Sequence, residues 1–92
     1  MIVRISGEGQ WRLPDGDAER LNELDNEAVS AVDAGDEARF RGLFEQMLEL
    51  VANDGEAVPD DELLESDVIV PPRDLSFEEA QAEFTGEGVI PD

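Results

Sequence analysis

The sequence predicts an α+β fold in which a small β-sheet packs against a pair of antiparallel helices. In the first thirteen residues, apolar and polar side chains alternate in two short runs, the pattern of half-buried strands. Residues 21 to 51 instead repeat apolar side chains at helical spacing, with one break near Gly35. The length of 92 residues suits one small domain, so we expect residues 1–92 to share a single core.

The N-terminal segment is predicted to form a β-hairpin. Val3 and Ile5 alternate with polar neighbours in the first strand, and Trp11 continues the alternation in the second. Gly7 and Gly9 flank the connection and suit a loop that needs positive φ angles. We expect Trp11 to lie at the edge of the core, above the helices. Because Trp is enriched at interaction hot spots, it is also a candidate anchor for a partner.

Two helices are predicted to follow the hairpin. Residues 14–17 form a turn in which Asp15 or Asp17 can cap the first helix, which follows and runs to about Ala34, with Gly35 as its C-terminal stop. Asp36 is the natural N-cap of the second helix. A short connection makes neighbouring helices pack as an antiparallel hairpin. The second helix has the clearest apolar stripe in the chain: Phe40, Leu43, Phe44, Met47, Leu48 and Val51.

The C-terminal part of the sequence predicts less regular structure. Residues 53–60 have the composition of a linker, and residues 67–70 form a short strand. Pro71 follows that strand directly, so we expect it at an edge of the sheet, beside the hairpin. Ser76 and the glutamate three residues later form a capping box, which predicts a final short helix that ends at Gly86.

Composition excludes several classes of function. The net charge is −19, from 25 acidic residues against 6 arginines, and the chain has no Lys, His or Cys. Such a charge opposes binding to nucleic acid and direct binding to anionic membranes. The absence of His and Cys removes the commonest general base, nucleophile and zinc ligands. We therefore expect no enzymatic activity and no cofactor. We see no signal peptide and no transmembrane segment, so we expect a cytoplasmic protein.

Acidity is concentrated in the C-terminal half, where residues 54–92 hold 13 acidic side chains and one Arg. A basic protein partner would therefore meet this half. Residues 59–72 and 89–91 look most like a contact site, because they place apolar side chains in weakly structured acidic chain. Two alternatives stay open: a carboxylate-lined site for a divalent cation, and a homodimer formed through the edge strand or the C-terminal apolar segment. The candidate partner-binding residues are Trp11, Asp60, Asp61, Glu62, Val89 and Ile90.

Several segments resemble the phage-shock-protein-A-associated (PspAA) family in order and spacing. The resemblance begins with the hairpin and extends over nearly the whole chain, and none of its motifs is catalytic. The segments that carry it are Ile2-Val-Arg-Ile5, Gly7-Glu-Gly-Gln-Trp-Arg12, Leu21-Asn-Glu-Leu-Asp25, Asp60-Asp-Glu-Leu63, Ser66-Asp-Val-Ile-Val-Pro-Pro72, Ser76-Phe-Glu-Glu79 and Gly86-Glu-Gly-Val-Ile-Pro91.

This resemblance implies a small cytoplasmic companion of PspA, the coiled-coil membrane-remodelling protein of the envelope-stress response. Its role would be that of a non-enzymatic adaptor or regulator that binds a PspA-like coiled coil. No active site is transferred with the resemblance. An acidic domain that avoids lipid would reach the membrane through a partner with basic surfaces.

Overall fold

The computed structural model describes residues 1–59, 61–62 and 64–84. It confirms an α+β fold with an N-terminal hairpin, two antiparallel helices, a further strand and a short C-terminal helix. The sheet has the strand order β3-β2-β1-β4. Its elements in chain order are β1 (Ile2–Ile5), β2 (Gly9–Arg12), α1 (Asp15–Asp33), α2 (Glu37–Asp54), β3 (Glu56–Ala57), β4 (Val68–Val70) and α3 (Phe77–Glu83).

The predicted hairpin is confirmed. Strands β1 and β2 are antiparallel, with Val3 opposite Trp11 and Ile5 opposite Gly9. Gly7 and Gly9 have φ angles of +83° and +125°, which only glycine adopts without steric cost. The loop therefore depends on both glycines, as the sequence predicted.

Strand β4 lies at the edge of the sheet, beside β1, as predicted. The pairing is parallel, with Val3 opposite Val68 and Ile5 opposite Val70. A parallel pair needs a long connection, and here α1, α2 and β3 intervene in the chain. Val68 and Val70 are buried at 1% exposure each, so this short strand adds its two valines to the core.

The expectation of a linker at residues 53–60 is wrong for its centre. Glu56–Ala57 form β3, which extends the sheet beyond β2, with Ala57 opposite Trp11. The pairing continues with the Val58 amide, which donates to the Gln10 carbonyl at 2.9 Å. Both β3 side chains are exposed, so the strand has no apolar alternation, and backbone hydrogen bonds drive its formation.

The connection between the two long helices follows the predicted C-cap and N-cap. Gly35 has a φ angle of +70°, and its amide donates to the Val32 carbonyl at 3.0 Å. The Asp36 amide reaches back to the Ala31 carbonyl at 2.9 Å, which completes a Schellman motif. The Asp36 carboxylate then accepts from the Arg39 amide at 3.1 Å and caps α2. One glycine and one aspartate thus set the antiparallel turn.

The predicted N-cap of α1 is wrong. Pro14 occupies the cap position, and no side chain caps this end of the helix. Proline already has a φ near the helical value, and its carbonyl accepts from the Asp17 and Ala18 amides at 3.0 Å each. Asp15 and Asp17 therefore lie inside the first turn, where their charges act on the helix dipole instead of on free amides.

The core is a single hydrophobic cluster between the inner face of the sheet and the three helices. The predicted apolar stripe of α2 is buried over its whole length. Phe84 closes the cluster from α3, with ring centroids 5.1 Å from Phe40 and 6.0 Å from Phe44 in edge-to-face geometry. Asp25 of α1 is fully buried and is hydrogen bonded or otherwise paired. Aromatic contacts thus attach the short helix α3 to α2.

Candidate partner-binding surface

The two faces of the sheet have different roles. Val3, Ile5 and Trp11 point to the helices, because residues opposite each other across strands share a face. The other face bears Arg4, Gln10 and Arg12. The chain must pass from β3 at one edge to β4 at the opposite edge, and its described residues cross this outer face.

Hydrogen bonds hold this crossing against the sheet. The Gln10 amide donates to the Leu64 carbonyl at 2.7 Å and to the Ser66 hydroxyl at 2.8 Å. Arg12 and Glu62 form an ion pair at 3.3 Å, with both side chains about half exposed. These contacts of Gln10 and Arg12 hold residues 62–66 on β2. Gln10 is therefore a structural residue that sequence reasoning missed.

The candidate residues named from the sequence do not come together at one place. Trp11 is half-buried on the core side of β2, packed against the core beside Gly55 and Ala57. Asp61 and Glu62 are exposed, and Glu62 lies on the opposite face of the sheet, on Arg12. Asp60, Val89 and Ile90, together with the predicted stop at Gly86, lie outside the described residues.

A further surface lies at the edge strand β4, partly within residues 59–72, which the sequence indicated as a contact site. Within the described part of the chain, Ile69 is the one large apolar side chain that is mostly exposed, at 58%. It borders a groove of about 310 Å³ between the end of β4 and α3. We call this the Ile69 groove, and its apolar lining is Ile69, Pro71, Pro72, Leu75 and Ala82. Successive side chains of a strand point to opposite faces. Because Val68 and Val70 are buried, Ile69 between them is exposed.

Acidic side chains border the Ile69 groove on its α3 side, where Glu79 and Glu83 line it. Glu79 forms the predicted capping box: its carboxylate accepts from the Ser76 amide, and its own amide donates to the Ser76 hydroxyl, both at 3.1 Å. These hydrogen bonds lower the pKa of Glu79 below its ordinary value. Glu79 therefore keeps its negative charge at every physiological pH.

The nearest cation along the chain is neutralised. Arg73 follows Pro72 and binds Glu8 of the hairpin loop through two hydrogen bonds of 2.9 and 3.1 Å. This bidentate pair raises the pKa of Arg73 and ties the segment after β4 to the hairpin. Arg41 of α2 also comes close, and its guanidinium donates to the carbonyl of Leu75. The charged side chains that line the groove itself are the acids Glu79 and Glu83.

A pair of carboxylates lies elsewhere, between the start of α1 and the end of α2. Burial raises the pKa of Asp17 above its ordinary value, and the charge of Asp54 and a hydrogen bond to its carboxyl add to the effect. Among the described residues, no group of three or more acidic side chains converges as a metal site would require. The carboxylates of Asp17 and Asp54 therefore repel each other at neutral pH.

The family comparison confirms the resemblance seen in the sequence. The model of the PspA-Associated protein family, PspAA, matches residues 1–92. The chain belongs to the PspAA family. No curated protein and no solved structure matches it. Family membership implies association with PspA, and the groove described above lies within the matched range.

Among the described residues, no helix is both long enough and apolar enough to cross a bilayer. The two long helices α1 and α2 each direct their apolar residues into the core and carry acids on the other side.

Proposed function

We propose that this protein is a non-enzymatic cytoplasmic adaptor that binds a PspA-like coiled-coil protein and regulates it in the envelope-stress response. The observation that carries the proposal is the match of the PspAA family model along residues 1–92. Family membership supports association with PspA, and the adaptor role is our extension of it.

The charge of the chain supports a protein partner with basic surfaces. A net charge of −19 steers such a partner toward the domain and repels anionic lipid and nucleic acid. Steering of this kind raises the association rate and weakens as salt screens the charges. We therefore expect the complex to form faster at low salt than at high salt.

Three titratable groups with shifted pKa values have structural causes for those shifts. Burial raises the pKa of Asp17, and hydrogen bonds with Glu8 and Ser76 shift the pKa values of Arg73 and Glu79. Asp17 lies in the first turn of α1, Glu79 lies in the first turn of α3, and Arg73 forms an ion pair with Glu8. None needs a reaction to explain it.

Co-purification with the PspA homologue of the same organism tests the proposal. The affinity tag belongs on the partner, so that this chain is tested without modification. The expected result is a complex at tens of micromolar and low salt, seen by light scattering as a combined mass. Separate masses under these conditions would reject the proposal.

The same samples test the two alternative functions. Heat released on titration with calcium, magnesium or manganese would favour a cation-binding domain. A doubled mass without the partner would favour a structural homodimer. We expect neither, because the described carboxylates do not converge in groups of three and two copies with a net charge of −19 repel each other.

A further inference from the structure

We infer that the Ile69 groove is the docking site for an amphipathic helix of the partner, which inserts an apolar side chain and directs basic residues to Glu79 and Glu83. The inference rests on the proposed function, because it identifies the surface by which the coiled-coil partner would bind. It adds the face used, the kind of secondary structure received and the chemistry of the contact.

The first argument is the exposure of an apolar side chain in a highly charged protein. Ile69 remains 58% exposed, although its neighbours Val68 and Val70 are 1% exposed. It stands at the mouth of a concave surface with an apolar lining. A volume of about 310 Å³ is at the lower limit for small-molecule sites, roughly 300–1,000 Å³, and suits inserted side chains. Such a surface, bordered by polar residues, is typical of a protein-binding site.

The second argument concerns the backbone of β4, which is a poor template for another strand. The Val70 carbonyl accepts from the Ser6 amide at 3.0 Å, so Val70 directs its polar groups to β1. Neighbouring residues in a strand point their backbone groups to opposite sides, so Ile69 offers its amide and carbonyl to the free edge. Pro71 and Pro72 follow at once and have no amide hydrogen to donate. The free backbone groups of one residue are too few for another strand to pair with β4. A partner would therefore contact the groove through its side chains.

The third argument is charge. Glu79 and Glu83 lie one helical turn apart on α3, at the groove. Two neighbouring cations already have partners within the chain: Arg73 is paired with Glu8, and Arg41 donates to the Leu75 carbonyl. Arg4 is exposed on the outer face of the sheet, opposite Ile69 in the strand pairing. The basic residues of the partner therefore face α3, and Arg4 keeps them from the sheet side.

Calorimetric titration of the PspA homologue with variants of the full chain tests the inference. Ile69→Asp places a charge where the apolar side chain docks, and we expect the affinity to fall more than about tenfold. Ala57→Asp is the matched control: it adds the same charge to an exposed residue of the opposite edge strand, β3. We expect that control to bind like the unmodified chain. Equal binding by Ile69→Asp and the unmodified chain would overturn the inference.

The acidic border has its own pair of variants. Glu83→Lys reverses one charge at the groove, and Glu27→Lys makes the same change on the exposed side of α1. Because border charges act mainly on association, we expect Glu83→Lys to weaken binding about two- to fivefold and the difference to shrink with added salt. Equal loss in both variants would mean that net charge alone matters, and would contradict a contact at α3.

Two further measurements separate the failure of the groove from other failures. Circular dichroism checks the fold of Ile69→Asp, and Ile69→Thr keeps a β-branched residue if the aspartate perturbs the strand. If the PspA homologue does not bind the unmodified chain, the proposed function fails. The groove is then tested with a second probe, a synthetic heptad-repeat peptide that has Leu at positions a and d and Lys at positions e and g. Amide shifts at Ile69, Ala82 and Glu83 on adding this peptide would support the groove. Shifts only elsewhere, or none, would overturn it.

Discussion

Removing the ring of Phe84, the C-cap of α3, should cost more stability than removing the ring of Phe77 at the start of that helix. Phe84 is fully buried and meets two rings of α2 edge to face, Phe40 at 5.1 Å and Phe44 at 6.0 Å. A buried Phe→Ala change costs about 3–5 kcal/mol, through lost transfer free energy and the cavity left behind. Domains of this size have about 5–14 kcal/mol of stability, so the change removes a large share of it.

Phe77 is the matched control for this substitution. It lies in the same helix, is half-buried, and meets Phe40 at 6.0 Å with a tilted geometry. We therefore expect Phe77→Ala to cost about 1–2 kcal/mol, less than half the effect of Phe84→Ala.

The measurement is thermal and urea unfolding followed by circular dichroism. For a domain of this length each kcal/mol shifts Tm by roughly 4–8 °C, so Phe84→Ala should lower Tm by roughly 12 °C or more. If that variant is already unfolded, Phe84→Leu keeps most of the volume and gives a measurable, smaller loss. A cost for Phe84→Ala equal to or below that of Phe77→Ala would refute the role of Phe84 in attaching α3 to the core.

Three other substitutions test local features of the fold. Gly35→Ala should cost about 1 kcal/mol in urea unfolding, because φ at this position is +70°. Asp54→Asn should raise Tm at neutral pH, because it removes a charge that opposes the ionisation of Asp17. The pKa of Asp17 lies above its ordinary value of 3.8, so the gain in Tm should shrink as the pH falls toward that value and Asp17 becomes protonated. Glu79→Ala should lower Tm at neutral pH, and this loss should narrow as the pH falls below 4.5, since protonation removes the advantage of the capping carboxylate.

Each of these substitutions has a control in the chain. Gly16→Ala lies within α1 at a position without positive φ and should stabilise instead. Asp33→Asn removes a carboxylate from the last turn of α1 and reports the dipole effect alone. Glu78→Ala removes the other acid of the first turn of α3 and leaves the capping box intact. A substitution that behaves like its control would contradict the reason given for it.

The elements with strong local signals were predictable from the sequence. The alternation of the hairpin, the glycines of its loop and the stripe of α2 each express a local rule, and the structure follows all three. Gly35 and Asp36 also act as predicted, since a C-cap glycine and an N-cap aspartate need no tertiary context. Family membership was visible for the same reason, because the segments that carry it are short and contiguous.

Other features depend on contacts between distant parts of the chain. Strand β3 has two exposed residues, Glu56 and Ala57, and forms because β2 offers backbone partners. The cap of α1 was misassigned because Pro14 and Asp15 both suit a helix start, and proline took the cap position. The Ile69 groove forms only when β4 and α3 are placed together, although its apolar lining lies within residues 69–82. The burial of Asp25 on α1 also could not be predicted from the sequence, because a charged residue is usually exposed on the surface of a helix.

The most direct test of the account is a calorimetric titration of the full chain with the PspA homologue of the same organism. The account predicts a saturable complex whose affinity falls with added salt and falls more than about tenfold in Ile69→Asp. It also predicts unchanged binding in Ala57→Asp. No binding by the unmodified chain would contradict the adaptor function, and binding unaffected by Ile69→Asp would place the partner on another face.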